Sequence, residues 1–349
     1  MKFCNWFMLS RKTVMEGFMR RAIAIILSLI FFSGSLFAQS QKPVKLLYAS
    51  TAASTAAHGM AAKVMAEEAE KLSGGRIKID VHLDGTLFTQ EGQISAIRQG
   101  TLDMTDGSPN WFAEQVPSIA MFTAAYIFKD YAHMTKVLNG DIGKKINEAV
   151  ADKMGVRPLS AWYIGTRNIN LRDIGRVVKL PTDMKGIKLR MPNSPSWIAM
   201  GKALGANPTP IAISEVYLSL KTGTIDGQEN PIPTTILRKF YEVTKYMLLT
   251  GHLVDTTMPV INEKKWKSLS KEDQEILYKA AEKARDFCDV TNLKIEEDGI
   301  ATLKGKGLII YEIDKNAWMK YAQDYYLSDK EISKSWDLDL LKQISALAD

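Results

Sequence analysis

Cysteine is nearly absent: the 349-residue chain holds two, Cys4 and Cys288. Cys4 falls in a leader-like segment, which leaves Cys288 without a partner in the chain. A disulfide-stapled scaffold is thereby excluded, and the fold must be held by its own core. Linkers rich in Pro and Ser, low-complexity tracts and charge blocks are also missing, so any domains are closely joined rather than tethered. There is no phosphate loop: "KGKGL" at 304–308 lacks the spacing and the following Ser or Thr. Neither a G-x-S-x-G elbow, a H-E-x-x-H helix nor a paired C-x-x-C occurs. The four histidines (His58, His82, His133 and His252) are far apart in sequence. Each reads as a surface or locally bonded residue rather than a metal ligand. Basic residues are dispersed, with no aromatic-interleaved patch for nucleic acid. No metal and no cofactor is expected.

What is present begins with "MRRAIAIILSLIFFSGSLFAQ" from Met19. Two arginines precede an apolar run, and Ser35-Leu36-Phe37-Ala38 ends it, the order of a secretory signal. The run is shorter than the roughly 18–20 residues of a membrane span. We therefore read 1–38 as a cleaved signal peptide, with an extended leader or misassigned start before Met19, and expect a soluble periplasmic protein. No cysteine follows at a lipidation position. The leader carries five basic residues and one acid, or +4 of the chain's net +6, so the remainder is close to balance at +2. At 46% hydrophobic and 24% charged, the composition is that of a globular protein long enough for two domains.

The chain after the leader alternates strand and helix signals. "VKLLYAS" (44–50) reads as a strand, and 58–73 as an amphipathic helix stopped by Gly74-Gly75. "RIKIDVHL" alternates, with Ile77, Ile79, Val81 and Leu83 on one side. A helix carrying Ile94 and Ile97 follows, then "TLDM" as a short strand. The same grammar returns in "GIKLRMP", "SWIAMGKALG", a helix "EVYLSLKTG" capped by Ser214, and "TIDG". The stretches "AIRQGTLDM" (96–104) and "SLKTGTIDG" (219–227) match: helix end, Gly, Thr, aliphatic, Asp. Their aspartates, Asp103 and Asp226, read as turn caps rather than an acid pair. This order gives an α/β fold with mixed, mostly parallel sheets. Residues 268–307 read as one long helix with a capping box at Ser270 and Asp273, its apolar positions including Ile276, Leu277, Ala280, Ala284, Phe287 and Val290. Helical segments around 315–325 and 329–347 end the chain.

Ligands of open α/β sheets sit beyond the carboxyl ends of strands. Arg190 stands at such an end in "GIKLRMPNS", one residue short of where Pro192 stops the strand. Its alternatives are solvent or a ligand. "GTRNIN" (165–170) and "DGQENP" (226–231) read as two further strand ends, bearing Arg167 and Asn230. Two guanidiniums and an amide suit a carboxylate, because the planar arginine fork matches both oxygens.

The stretches "DMKGIKLRMPNSP" (183–195), "LGANPTPIAISEVYLSLKTGTIDGQENP" (204–231) and "KFYEVTKYMLLTGH" (239–252) carry a resemblance. With "GGRIKIDV" and "IRQGTLDM", the chain resembles the DctP-like periplasmic substrate-binding proteins of tripartite ATP-independent periplasmic (TRAP) transporters. The resemblance implies a two-domain, Venus-flytrap architecture with crossing strands and a domain-spanning helix. Its expected domains are 39–164 with 256–296, and 165–255 with 297–349. It implies capture of an organic acid, no enzymatic activity, and delivery to integral membrane subunits. The family's selectivity arginine matches Arg190, its "GQENP" asparagine Asn230, and a further arginine Arg167. Asn193 lies where the family often contacts ligand. Thr51, Gln90, Ser108 and Trp111 match the opposite wall, Trp111 being equally readable as a packing residue. Where sialic-acid-binding relatives carry an aromatic residue, this chain has Ile213, which cannot stack on a ring in the same way. Rival readings are a binding protein serving an ABC importer or a sensor kinase, and a periplasmic enzyme acting on organic acids.

Overall fold

The computed structural model describes residues 42–112 and 116–348; the signal-peptide reading of 1–38 lies outside the described residues. The chain opens with β1 (Val44–Ala49), α1 (Ala57–Leu72), β2 (Ile77–His82), α2 (Gln90–Gln99) and β3 (Met104–Gly107). Short turns lead to α3 (Tyr131–Leu138), α4 (Asp141–Met154), β4 (Val156–Pro158) and β5 (Trp162–Leu171). A second unit repeats the first: β6 (Lys188–Met191), α5 (Pro195–Ala203), β7 (Asn207–Pro210), α6 (Val216–Thr222) and β8 (Gly227–Pro231). Then come α7 (Ile232–Leu237), β9 (Tyr246–Asn262), α8 (Glu263–Ser268), α9 (Lys271–Gly305) and β10 (Ile309–Tyr311). Helices α10 (Lys315–Ser328), α11 (Lys330–Ser335) and α12 (Leu338–Ser345) close the described chain. No helix among the described residues is long and apolar enough to cross a membrane.

The sheet runs β2-β1-β3-β9-β5-β8-β6-β7, with β4 and β10 also on β9. The two wings, β2-β1-β3 and β8-β6-β7, therefore have the same internal order and flank a central pair. Parallel pairing holds in the wings, between β1 and β3 and between β6 and both β7 and β8. The sheet turns antiparallel where β9 meets β3 and β5, and where β5 meets β8. Strand β9 is 17 residues long. Its second half pairs with β3 and β4, its first half with β10, and β5 follows it through both. Two hydrophobic cores, among the clusters of the described residues, pack against β9. One gathers Ile97, Phe112, Val137, Val150 and Tyr163 with Val254 and Met258 of β9. The other gathers Ile169, Leu189, Met191, Trp197 and Trp318 with Leu248 and Leu253 of β9.

The repeated "GT-aliphatic-D" element has one structural meaning. Gly100 and Gly223 both end helices in the left-handed region, at φ 77° and 81°, where only glycine is unstrained. The Asp103 carboxylate accepts the Leu47 N–H of β1 at 2.9 Å, and the Asp226 carboxylate the Lys188 N–H of β6 at 2.8 Å. Each ties the third strand of its wing to the first.

Three local readings need correction. Ser214 caps no helix; it lies in a 3-10 turn (Ile213–Glu215) before α6. "GTRNIN" and "GQENP" are not strand ends: the first lies inside β5, and the second is β8 itself. Arg167 and Asn230 line an internal cavity there, and Asn168, Asn170, Gln228 and Glu229 are held in internal hydrogen bonds, so polar composition suggested loop. Val290 lies on the outer face of α9, 67% exposed.

Helix α9 has 35 residues, about 52 Å at 1.5 Å per residue, and begins at the Ser270 cap, whose side chain accepts the Asp273 N–H. It grips β5 along one stretch. Trp162 Nε1 donates to the Ala281 carbonyl at 3.0 Å, and Asn292 Nδ2 to the Tyr163 carbonyl at 2.8 Å. Asp289 and Glu296 accept the N–H groups of Tyr163 and Thr166 at 2.7 and 2.6 Å. Trp162→Phe removes one of these bonds and part of a fully buried ring system, while the Ala281 carbonyl keeps its partner within the helix. It should cost about 1–3 kcal/mol of stability, read as a lower urea midpoint; an unchanged midpoint would show that α9 does not anchor β5 through this indole.

Candidate functional site

Arg190 is the third residue of β6, with Leu189 and Met191 on either side packed into the second core. Alternation sends its side chain to the other face. That face is not solvent: Arg190 is 1% exposed. Its Nε–H donates to the Ile211 carbonyl at 2.7 Å. No carboxylate of the described residues lies within ion-pair distance of it, and its remaining N–H groups have no partner there. Burial pulls its pKa down to about 9, with Glu229 opposing and Arg167 and Arg238 adding to the shift. The group is still protonated at neutral pH, a buried cation without a counter-ion.

Arg167 is the opposite case. It sits in β5, facing Pro231 of β8 and Leu253 of β9 in the ladders. Its Nε–H and one terminal N–H hold the Glu229 carboxylate, the latter at 2.8 Å, and the other terminal nitrogen holds Asp255 at 2.5 Å. It also donates to Asn230 Oδ1 at 3.1 Å and lies over the Trp197 ring at 4.6 Å. Burial alone would lower its pKa, but Glu229 and Asp255 outweigh burial and raise it. Burial would raise Glu229; Arg167 and His252 outweigh it and hold Glu229 ionised. His252 is buried, bonded to Glu229 at 3.2 Å and to Thr250 at 2.8 Å, and burial lowers its pKa. Asn230 is committed as well, its Nδ2 donating to Gln228 Oε1 at 2.5 Å. The two guanidiniums expected to act alike thus differ: one is saturated by internal acids and one is not.

Both arginines line a cavity of about 130 Å³ between the wings. Asn230 and Ile213 line it from the same side. Thr51, Gln90, Ser108 and Trp111 line it from the first wing, and Trp111 also packs against the first core. Asn193 is not brought to it; two residues beyond β6, it is exposed. The wings touch nearby, where Asn110 Nδ2 donates to Ser194 Oγ at 3.1 Å. Sequence reasoning missed several lining residues: His58, Gln93, Asp106, Trp197 and Asp255. Gln93 braces the first wall, accepting the Thr51 N–H and donating to the Asp106 carbonyl. The signal for Asp106 and Glu229 was available: each stands three residues after the aspartate of the repeated element.

Two matching α/β wings on shared strands, enclosing a buried cation with no partner, define a ligand-binding cleft of the solute-binding type. The chain belongs to the family described as bacterial extracellular solute-binding protein, family 7 (DctP), whose model matches residues 48–331. It is similar to the sialic acid-binding periplasmic protein SiaP of Vibrio cholerae, 31% identical over 82% of this chain and 87% of that one. It is also similar to the 2,3-diketo-L-gulonate-binding periplasmic protein YiaO of Escherichia coli, 34% identical over 82% of this chain and 86% of that one. Among solved structures, a TRAP periplasmic solute-binding protein of Roseobacter denitrificans has 3-deoxy-D-manno-oct-2-ulosonic acid bound. It matches with a TM-score of 0.83 and 34% identity, over 88% of this chain and 100% of that one. The sugar acid binding protein of Advenella mimigardefordensis in complex with galactonate matches with a TM-score of 0.80 and 26% identity, over 88% of this chain and 98% of that one. The family and these relatives are solute-binding proteins.

The contrast between the arginines predicts opposite effects of one substitution. Arg167→Met strands two buried acids and should cost about 3–5 kcal/mol, whereas Arg190→Met removes an unpaired buried charge and should cost nothing or stabilise the ligand-free protein. Denaturant unfolding of ligand-stripped protein measures both. Equal losses in the two variants would mean that Arg190 is internally compensated after all.

Proposed function

We propose that this chain is the periplasmic binding protein of a TRAP transporter, which captures a small organic acid by its carboxylate on Arg190. The single observation that carries this reading is that Arg190 is buried at a cavity wall with no acid of the described chain beside it. A buried, uncompensated ion costs several kcal/mol, and a ligand carboxylate offsets that cost through two parallel charge-assisted hydrogen bonds. Arg167 acts indirectly in this scheme. Held by Glu229 and Asp255, it shapes the wall beside Arg190, and its positive charge disfavours a second cation there.

Capture couples to closure. The expected domains, 39–164 with 256–296 and 165–255 with 297–349, divide the chain within β5 and β9, the strands the wings share, and within the long helix α9. Rotation about these strands opens the cavity to solvent and closes it over the acid. The leader at 1–38 exports the chain to the periplasm, and the closed form is what the integral membrane subunits receive. The names of the relatives support an acid as cargo: they include binding proteins for sialic acid, diketogulonate, galactonate, a ketodeoxy sugar acid and a C4-dicarboxylate. Ile213 gives the wall an aliphatic side chain where a stacking ring is absent, which argues against sialic acid itself.

Removing one partner of a buried charge pair costs about 2–5 kcal/mol of binding, or tens to thousands-fold in affinity. Arg190→Ala should lose that much for every acid the wild type binds. Arg190→Lys should lose most of it, because an ammonium cannot present the fork. Titration calorimetry against a carboxylic acid library checks both, and wild-type affinity in either variant sinks the clamp.

A further inference from the structure

His58 plays no part in the arginine clamp. It is the second residue of α1, half-buried, and lines the same cavity as Arg190 from the first wing. Each of the other three histidines has a partner: His82 meets Asp80, His133 the Ile344 carbonyl, and His252 both Thr250 and Glu229. The His58 imidazole makes no hydrogen bond and no ion pair among the described residues. Burial lowers its pKa, Asp106 opposes that, and Arg238 adds to it. The first turn of a helix also disfavours a cation. The ring is therefore neutral at pH 7 while the cavity holds no ligand.

The charges around the cavity balance with that ring neutral. Arg167, Glu229 and Asp255 form one ion-paired cluster with a single net negative charge. Asp106 on β3 adds one more. Arg190 on β6 and Arg238 at the end of α7 supply two positive charges. Arg238 is half-buried, lines the cavity, and has no hydrogen bond or ion pair among the described residues; Asp84, exposed at the rim, acts on it through space. Strand β5 also presents Ile164 and β9 Thr257, both uncharged. Helix α9 and strand β2, which pack on α1, give the cavity no lining residue among the described residues.

A ligand carboxylate on Arg190 tips this balance to one negative charge in excess. In a cavity of about 130 Å³ that charge stands near the imidazole, and a nearby anion favours the protonated ring. Histidine is the side chain that changes charge closest to neutral pH. Asp255 is the other group to consider, since burial raises its pKa, but Arg167 holds it.

We propose that His58 is a ligand-contacting residue of the first wing that takes up a proton as the acid is captured, so that binding is proton-linked and tightens as the pH falls through neutrality. The proton comes from the buffer and returns to it on release. The inference rests on the reading of Arg190 as the carboxylate site, but its readout is the proton and not the carboxylate, so the two can fail separately. The sign follows from linkage. A group that binds protons more tightly in the complex makes affinity rise as the pH falls through its bound value, and level off below its free value.

The test is titration calorimetry of the chain from Gln39 at pH 6, 7 and 8, in two buffers of unlike ionisation enthalpy at each pH. The probes are D-galactonate, D-glucuronate, pantoate and tartrate, whose carboxyl groups titrate near or below about pH 4 and stay ionised throughout. The tightest-binding probe should bind about threefold or more tighter at pH 6 than at pH 8, with a fraction of a proton taken up per ligand at pH 7. His58→Asn should bind it with flat affinity and no uptake. In proton NMR, the imidazole signal missing from His58→Asn identifies His58, and its midpoint should move up by about one pH unit or more when the probe is bound. His58→Gln, read in the same way, serves if the first variant melts early. Equal uptake in the wild type and the His58 variants places the proton elsewhere and overturns the role of His58. Flat affinity without uptake in the wild type overturns the proton linkage. In both cases loss of binding in Arg190→Ala leaves the clamp standing. Retained binding in Arg190→Ala, or a wild type that binds none of the four acids, overturns the clamp and this inference with it.

Discussion

A guanidinium at 1% exposure whose hydrogen-bond partner among the described residues is one carbonyl is a costly group to bury. A protein can hold a buried cation by pairing it internally, or by leaving it for a partner from outside. Both solutions stand side by side here. Arg167 has two acids, an amide oxygen and an indole face; Arg190 has one backbone carbonyl. Because Glu229 and Asp255 are already engaged by Arg167, neither is free to swing to Arg190 without stranding Arg167. The neighbour's saturation is what keeps the second cation open. Rigidity of the Arg167 cluster and reactivity of Arg190 toward anions are one arrangement seen from two sides.

The same cluster is also mechanical. Arg167 is on β5, Glu229 on β8 and Asp255 on β9, so its ion pairs bind the central strands to the edge of the second wing. Helix α9 holds β5 from the other side through Trp162, Tyr163 and Thr166. Between these two grips β5 carries a bulge at Gly165, where φ is +118° and a Cβ would stand 2.6 Å from Pro231. The local register break is confined to a short, heavily tied segment. Under the proposed closure, relative motion of the wings would fall on the parts of β5 and β9 that are not tied, and the arginine cluster would move with the second wing.

Much of the fold was legible. Period-two and period-3.6 patterns gave the strands and helices of both wings, the glycine stops fell at left-handed caps, and Ser270 capped the long helix as read. Arg190 was legible too, since a charged residue between Leu189 and Met191, just before Pro192, has few reasons to be there. What failed had a common cause. β5 and β8 are buried on both faces yet carry Arg, Asn, Gln and Glu, so hydrophobic alternation could not find them and polar composition read as loop. The saturation of Arg167 was invisible because its acids lie 62 and 88 residues away in sequence, and pairing at that separation is a property of the closed sheet. Val290 kept helical spacing and still faced outward, since spacing selects a stripe without saying how wide the buried stripe is.

The repeat of the two wings ties these points together. Asp103 and Asp226 do the same work, each accepting an N–H from the first strand of its wing. Three residues further along, Asp106 and Glu229 hold equivalent places on β3 and β8, and both are buried. There the equivalence ends, because only Glu229 has an arginine. Glu229 is matched internally by Arg167, while Arg190 of the same wing meets no acid at a cavity that both wings line. On the proposed reading, an acid held by Arg190 lies against both walls of that cavity, and an unmet buried charge becomes a met one. On that reading, part of the free energy of binding is also free energy that favours the closed arrangement of the wings.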